Sequence, residues 1–326
     1  MKARLQFIRP GWWSGNLLLL LFLSACTLPS PQMREESSGL FSLSPKAFCE
    51  PSGVIFDGSF CIFANDKPIP GRSPLFRFPV EEGRLRIGMR EDLLSPLFQE
   101  GRKWEDLASS PEGKYLLATT AFDRPQKAYQ SFVYWPAGDP QKAKSLSGVI
   151  KKGIQSVLGD PPYFKVEGLA CLPSGQILFG IRARGESWKT ASEVIQIVSF
   201  PFQVRDGTFE IGSESSLWFE SESIGVPESV GISSLEYDRY REHLYVLFSF
   251  EVEDRSAGGY LGVLRKGTSS LVLVQDSTGS AHRFSRKPEG ITVLDRDRIL
   301  VVFDEDRRES AERKKHQAIF SIFRWQ

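Results

Sequence analysis

One phrase recurs five times in the chain and limits its fold more than any other feature. Each copy has a short turn-in, an apolar strand, a polar turn with Gly or Asp, and a strongly apolar strand ending on a polar or charged residue. The first copy runs Ser52-Gly53-Val54-Ile55-Phe56, turns at Asp57-Gly58 and continues from Phe60 to Ala64. The second opens at Glu105-Asp106-Leu107-Ala108, the third at Glu167-Gly168-Leu169-Ala170, the fourth at Ser233-Ser234-Leu235 and the fifth at Glu289-Gly290-Ile291. Their starts lie 53, 62, 66 and 56 residues apart. A repeat of this length with several strands per copy predicts an all-β chain folded as a β-propeller, one blade per repeat. The count is about five blades, with six open if one is degenerate.

A third apolar strand follows each phrase, at 74–80, 131–135, 193–202, 259–264 and 317–325, and a fourth candidate follows at 84–89, 208–212 and 270–275. The fifth repeat has no fourth strand. Leu40-Phe41-Ser42-Leu43 is expected to supply it, closing the ring and removing an exposed edge. Residues 92–99 and 150–158 are expected to hold short helical turns.

In a four-stranded antiparallel blade the start of the inner strand and the end of the second strand share one face. Ser52, Glu105, Glu167, Ser233 and Glu289 are therefore expected to ring the mouth of the central channel, joined by Asp66, Asp123, Arg182, Glu251 and Asp304. The long loops 182–192, 251–258 and 304–316 leave the same face, which places ligand binding there. Three Glu converging on one axis repel unless a cation or Arg182 compensates. Glu105, Glu167 and Glu289 are thus candidate oxygen ligands for Ca²⁺; the alternative is a structural role in holding the neighbouring blade's backbone. Arg182 could instead bind a small anionic group through a bidentate contact.

The start of the chain gives its address. Lys2, Arg4 and Arg9 precede the apolar run Leu17–Leu23, which is too short to span a bilayer, and Leu23-Ser24-Ala25-Cys26 follows. This tetrapeptide resembles the bacterial lipobox, which implies a signal peptide over 1–25, cleavage before Cys26 and lipidation of its thiol. Acyl chains would then hold the protein on a membrane without a spanning helix. Thr27, in place of Asp, resembles lipoproteins released to the outer membrane, on its periplasmic or surface face. Residues 26–39 read as a flexible tether and 40–326 as a single propeller domain.

With 41 Lys plus Arg against 40 Asp plus Glu, no nucleic-acid partner is implied, and a monomer is expected. Export permits a disulfide, and Cys49 with Cys61 could meet across one hairpin, while Cys171 sits in an apolar run and reads as a packing residue. His243 and His282 read as solvated. Trp188, in a polar mouth loop, is a packing residue or a stacking surface for a ligand.

The segments Ser52-Gly53-Val54, Glu105-Asp106-Leu107-Ala108, Glu167-Gly168-Leu169-Ala170 and Lys287-Pro288-Glu289-Gly290-Ile291 resemble those of exported β-propellers described as phytase-like esterases and related uncharacterised propeller domains. The resemblance covers residues 46–326. It implies ester or phosphoester hydrolysis, assisted by calcium, though its short repeat-derived motifs speak for fold more than for activity. The chain has no Gly-x-Ser-x-Gly elbow, no His-Glu-x-x-His and no phosphate-cradling Gly-rich loop. Whether it is an enzyme stays open at this point. The residues favour an envelope propeller that binds a ligand or an envelope protein at its mouth, with the calcium-assisted hydrolase and a structural scaffold as alternatives.

Overall fold

A computed structural model describes residues 30–252, 257–267, 270–304 and 314–326; residues 1–25, expected to be a signal peptide, and Cys26 lie outside them. Five small antiparallel sheets form a five-bladed propeller. The inner strands are Pro51–Phe56, Trp104–Ser109, Tyr163–Leu172, Gly231–Asp238 and Lys287–Val293. Each pairs outward with the second strand of its phrase: Phe60–Asn65, Tyr115–Thr120, Gln176–Gly185, His243–Glu251 or Arg298–Asp304. The third strands are Leu75–Glu81, Phe132–Pro136, Ser192–Arg205, Ala257–Arg265 and Gln317–Trp325. Val, Ile, Leu and Phe fill both faces of the inner strands because each blade packs face to face on the next, leaving neither side to water.

The outer positions are more irregular than the repeat predicts. The third blade carries two outer strands, Thr208–Ile211 and Ser216–Ser221, that pair with different stretches of Ser192–Arg205. A helix, Ser147–Leu158, buries Ile150, Ile154 and Leu158 on one stripe and ends at the left-handed Gly159, three residues longer at its start than the expected turn. The other expected turn is the short helix Pro96–Glu100.

The ring is closed by the strand Met33–Ser42, which pairs antiparallel with Gln317–Trp325 from Met33 opposite Trp325 to Ser42 opposite Gln317. The closing strand thus starts well before Leu40, and Met33–Gly39 belongs to the sheet and not to a tether. The polar run Arg34–Gly39 reads as coil in sequence because an outermost strand faces water and needs few apolar residues. Its ends carry the apolar grip: Met33 and Phe41 are buried, and Phe41 packs at tilted and edge-on angles against Phe63, Phe76 and Phe78 of the first blade at ring distances of 5.0 to 5.9 Å. Arg324 donates to both carboxylate oxygens of Glu36, at 3.0 and 3.1 Å, across the same pair of strands.

The Cys49–Cys61 bond does not form; both residues carry buried thiols. Cys61 lies opposite Phe56 at the far end of the first hairpin, whereas Cys49 precedes Pro51 at the mouth end and donates its amide to the Lys315 carbonyl. Strand rise separates the two by about five residues, or roughly 17 Å, far beyond the reach of a disulfide. Cys171 is buried among apolar side chains, as expected.

Candidate functional site

A bulge at the same place in every inner strand builds the mouth. The ladder to the second strand skips one residue in each blade: Ser52, Glu105, Glu167, Ser233 and Glu289. A bulge leaves its extra residue unpaired and turns the side chain out of the pleat, here toward the mouth. All five are at least nine-tenths buried.

Two residues before each Glu stands a Lys, in Lys103-Trp104-Glu105, Lys165-Val166-Glu167 and Lys287-Pro288-Glu289. The three Glu therefore meet amines. Lys165 bonds Glu167 and stands 3.7 Å from Glu105. Lys103 lies 3.6 Å from Glu105 and donates to Asp123 Oδ2 at 2.7 Å. Lys287 pairs with Glu289 at 2.9 Å and with Glu251. In the first blade Lys67 pairs with Asp66 and, at 2.9 Å, with Glu50.

Arg182 serves the fourth blade from the third. It donates to Glu167 Oε2 at 2.8 Å, to Ser249 Oγ at 2.6 Å and to Glu193 Oε1 at 3.3 Å. The fourth blade has Gly231 where three others have Lys, and a Cβ there would stand 2.6 Å from Arg182 Cγ. Glycine thus makes room for the neighbouring guanidinium. Asp304 is buried at the end of its strand, opposite Lys287 in register.

This arrangement differs from a calcium centre. Among the described residues no group of three or more His, Cys, Asp and Glu is placed to hold a metal ion. The physical reason is that Lys and Glu alternate, so amines answer the carboxylates that an ion would otherwise gather. Electrostatics at the ring follow from burial. Burial pushes Glu105 up to about 7, opposed by Lys165 and Lys103 and reinforced by Asp66 and Glu289. Burial likewise pulls Lys165 down to about 8, against the attraction of Glu105. Burial opposes the charge on Lys103 too, yet Glu105, Asp123 and Asp66 outweigh it and hold its pKa above the usual lysine value.

Several acceptors are left over. Glu105 Oε1, Asp66 Oδ1, Asp123 Oδ1 and Ser233 Oγ are buried without a hydrogen-bond partner. Ser52, by contrast, is spent: its hydroxyl donates to the Trp104 carbonyl of the second blade. Two clefts flank the ring. One of about 240 Å³ lies between the third and fourth blades beside Glu193, Gln196 and Glu228; another of about 210 Å³ lies between the first and second beside Asp66, Arg102 and Lys103. Trp188 is 72% exposed on the loop following Arg182. Parts of the other two long loops, 253–256 and 305–313, lie outside the described residues.

Below the mouth the channel has a waist, and the residues that make it were not anticipated. The residue after each bulge is Gly53, Asp106, Gly168, Ser234 or Gly290, and the inner strands touch there. A Cβ on Gly290 would lie 3.0 Å from Gly53 Cα, and one on Gly53 would lie 2.7 Å from Asp106 Cα. The Asp106 carboxylate accepts from the amides of Leu107, Leu169 and Leu235, at 2.9, 2.8 and 3.2 Å, and from Ser234 Oγ. It ties the second blade to the third and fourth. Glu236 accepts from Val293 N and Thr292 Oγ1, both at 3.1 Å, and Thr292 Oγ1 accepts from Phe56 N at 2.9 Å. With Ser52 these bonds run a polar circuit around all five blades. The structural role expected for the ring Glu thus falls to Asp106 and Glu236 instead. The sequence did carry a signal, since Asp106 is the charged exception at a position otherwise Gly or Ser. His282 is half-buried against Phe284 and Phe323 and not solvated.

The sequence matches no protein-family model and no curated protein. Among solved structures, the chain is similar to a member of the DUF4221 family from Bacteroides vulgatus, with a TM-score of 0.48 and 10% identity over 91% of this chain and 99% of that one. A protein of unknown function from Dyadobacter fermentans is similar with a TM-score of 0.45 and 11% identity, over 91% of this chain and all of that one. A gluconolactonase from Xanthomonas campestris follows with a TM-score of 0.39 and 12% identity, over 91% and 96% of the two chains.

Proposed function

We propose that the protein is a lipid-anchored β-propeller of the bacterial cell envelope, held at the outer membrane through Cys26, whose channel mouth binds a small polyhydroxylated ligand. The observation that carries this reading is the set of buried acceptors without a hydrogen bond at the ion ring: Asp66 Oδ1, Asp123 Oδ1 and Ser233 Oγ, with Glu105 Oε1 held only by the longer ion pairs to Lys103 and Lys165. A buried polar atom without a partner costs about 1–3 kcal/mol, so a ligand bringing several hydroxyl donors to this ring recovers free energy that water-poor side chains alone do not. An anionic ligand would have to draw Lys165 or Arg182 away from Glu167. Calcium-assisted hydrolysis, implied by the resemblance to phytase-like esterases, needs carboxylates free to converge on a cation, and the lysines work against it. Trp188 offers a ring face above the mouth for stacking on a ligand or an envelope protein.

Titration calorimetry on the chain from residue 27 tests the reading, with neutral polyols and sugars, sugar acids and phosphate esters as three separate panels. Binding of a neutral polyol that Glu105→Gln and Ser233→Ala weaken is expected. A response confined to phosphate esters would replace the hydroxyl reading with the anionic one, and a folded protein that answers no panel would sink the small-molecule site. Mass analysis of the N-terminal peptide from membranes checks the anchor: a triacylated Cys26 is expected, and an unmodified or uncleaved N-terminus would remove it.

A further inference from the structure

The face opposite the mouth carries a cavity that the ring does not use. It has a volume of about 470 Å³, within the range of small-molecule sites, and opens between the third and fourth blades. Its walls are Leu172, Tyr237, Leu244 and Leu264, with Trp218 on one flank; Arg265, Lys266 and Glu242 stand at its rim, where Lys266 pairs with Glu242 at 3.0 Å, so an anionic head competes with that carboxylate for the amine. An apolar slot with aromatic and basic residues at its opening matches the two halves of a membrane lipid, a hydrocarbon chain and an anionic head.

The course of the chain brings lipid to this face. The inner strands leave the mouth and reach the opposite face at the turns before the second strands, and the closing strand begins at that level. Met33 pairs with Trp325, whose amide donates to the Asp297 carbonyl in one of these turns. Pro31 and Gln32 are fastened beside it, through Gln275 N to Pro31 O at 2.8 Å and Gln326 N to Gln32 O at 3.0 Å. Cys26 precedes Pro31 by five residues, and an extended chain covers at most about 3.6 Å per residue, so a lipid on Cys26 holds this face within about 18 Å of the bilayer. The mouth then points away from the membrane. Tyr240, 48% exposed in the turn of the fourth blade, stands on the membrane side.

We propose that this cavity is a binding site for a single-chain anionic lipid, with the chain between Trp218, Tyr237 and Leu264 and the head at Arg265 and Lys266. The orientation rests on the anchor reading above; the cavity itself does not require it. All five sheets are complete within residues 31–326, so the soluble chain from residue 27 contains the whole site. The probe is a lysophosphatidylglycerol with a 14-carbon chain, kept below its micelle threshold and followed by tryptophan fluorescence and calorimetry, with glycerol phosphate as the headgroup alone. Saturable one-to-one binding is expected for the lipid and none for glycerol phosphate. Trp218→Ala should weaken binding by about tenfold. Ser174→Trp, placed on the exposed turn at the rim, should fill the slot and abolish binding while leaving the melting temperature in place. Arg265→Gln with Lys266→Gln should weaken the anionic lipid severalfold and spare a neutral alkyl glycoside. Absence of saturable binding by folded wild type, or binding untouched by Ser174→Trp, overturns the proposal. Equal binding of glycerol phosphate overturns it as well. Because this chain bears no lipid, these results stand apart from the mass of the Cys26 peptide, which decides the anchor.

Discussion

Glu105 and Asp106 are adjacent, both carboxylates and both buried, yet they belong to different parts of the molecule. Glu105 sits on the bulge and faces the mouth, where its partners are the side chains Lys103 and Lys165. Asp106 points across the waist, where its partners are backbone amides of other blades and one hydroxyl. The mouth is made of side chains that can exchange partners; the waist is made of backbone groups that cannot. Polar groups at the mouth are thus available for a ligand, whereas those at the waist are committed to assembly of the ring.

The comparison can be broken at the waist first. Asp106→Ala leaves the Leu169 and Leu235 amides and Ser234 without an acceptor, and a loss of about 3–5 kcal/mol in urea unfolding is expected. A stability equal to wild type would show that the inter-blade bonds are incidental. A second effect is expected from pH. Burial pushes Glu236 up to about 8 from its ordinary 4.5, against the donors Val293 and Thr292. The folded protein therefore binds more protons than the unfolded chain between these values. This contribution to stability is greatest at the acid end of that window and falls, by a few kcal/mol, as pH rises from about 4.5 to 8. Unfolding followed across that range should show the decline in wild type and a flatter line in Glu236→Gln; identical slopes would count against it.

At the mouth the expected effects on stability shrink. A double-mutant cycle with Lys165→Met and Glu167→Gln should return a coupling of about 1–2 kcal/mol, because the pair is largely buried but opens toward solvent. Coupling as large as the cost of Asp106→Ala would erase the distinction between the two regions. Last, a chelator and a reductant should each leave the melting temperature unchanged, since amines answer the ring carboxylates and Cys49 and Cys61 are thiols; a fall with chelator would restore the cation site.

The fold was legible because the repeat states the same strand pair five times, and apolar patterning survives in each copy. The positions of the mouth residues were legible for the same reason. Their chemistry was harder to read, because it depends on Lys103 and Lys165, which fall just before the strand pattern begins and look like ordinary polar flanks. Arg182 acts across a blade boundary, with Gly231 as its counterpart, and a contact between residues so far apart in sequence leaves no local pattern. Met33–Gly39 looks like a loop in the sequence because this edge strand is apolar only at its ends. The disulfide expectation failed because sequence proximity of Cys49 and Cys61 hides their placement at opposite ends of one hairpin.

The clasp between Met33–Ser42 and Gln317–Trp325 also governs how the ring can be made. Its two strands are separated by almost the whole domain, so every other blade can assemble from local hairpins while this one waits for distant partners. The loop-closure entropy is spent before the paired strands return it, which makes clasp formation the natural slow step of folding. Until then Gln317–Trp325 is an unpaired edge and the first blade lacks Phe41. A chain carried across a membrane from its N-terminus would complete its final blade only after the last strand arrives, and would be most prone to aggregate during that interval.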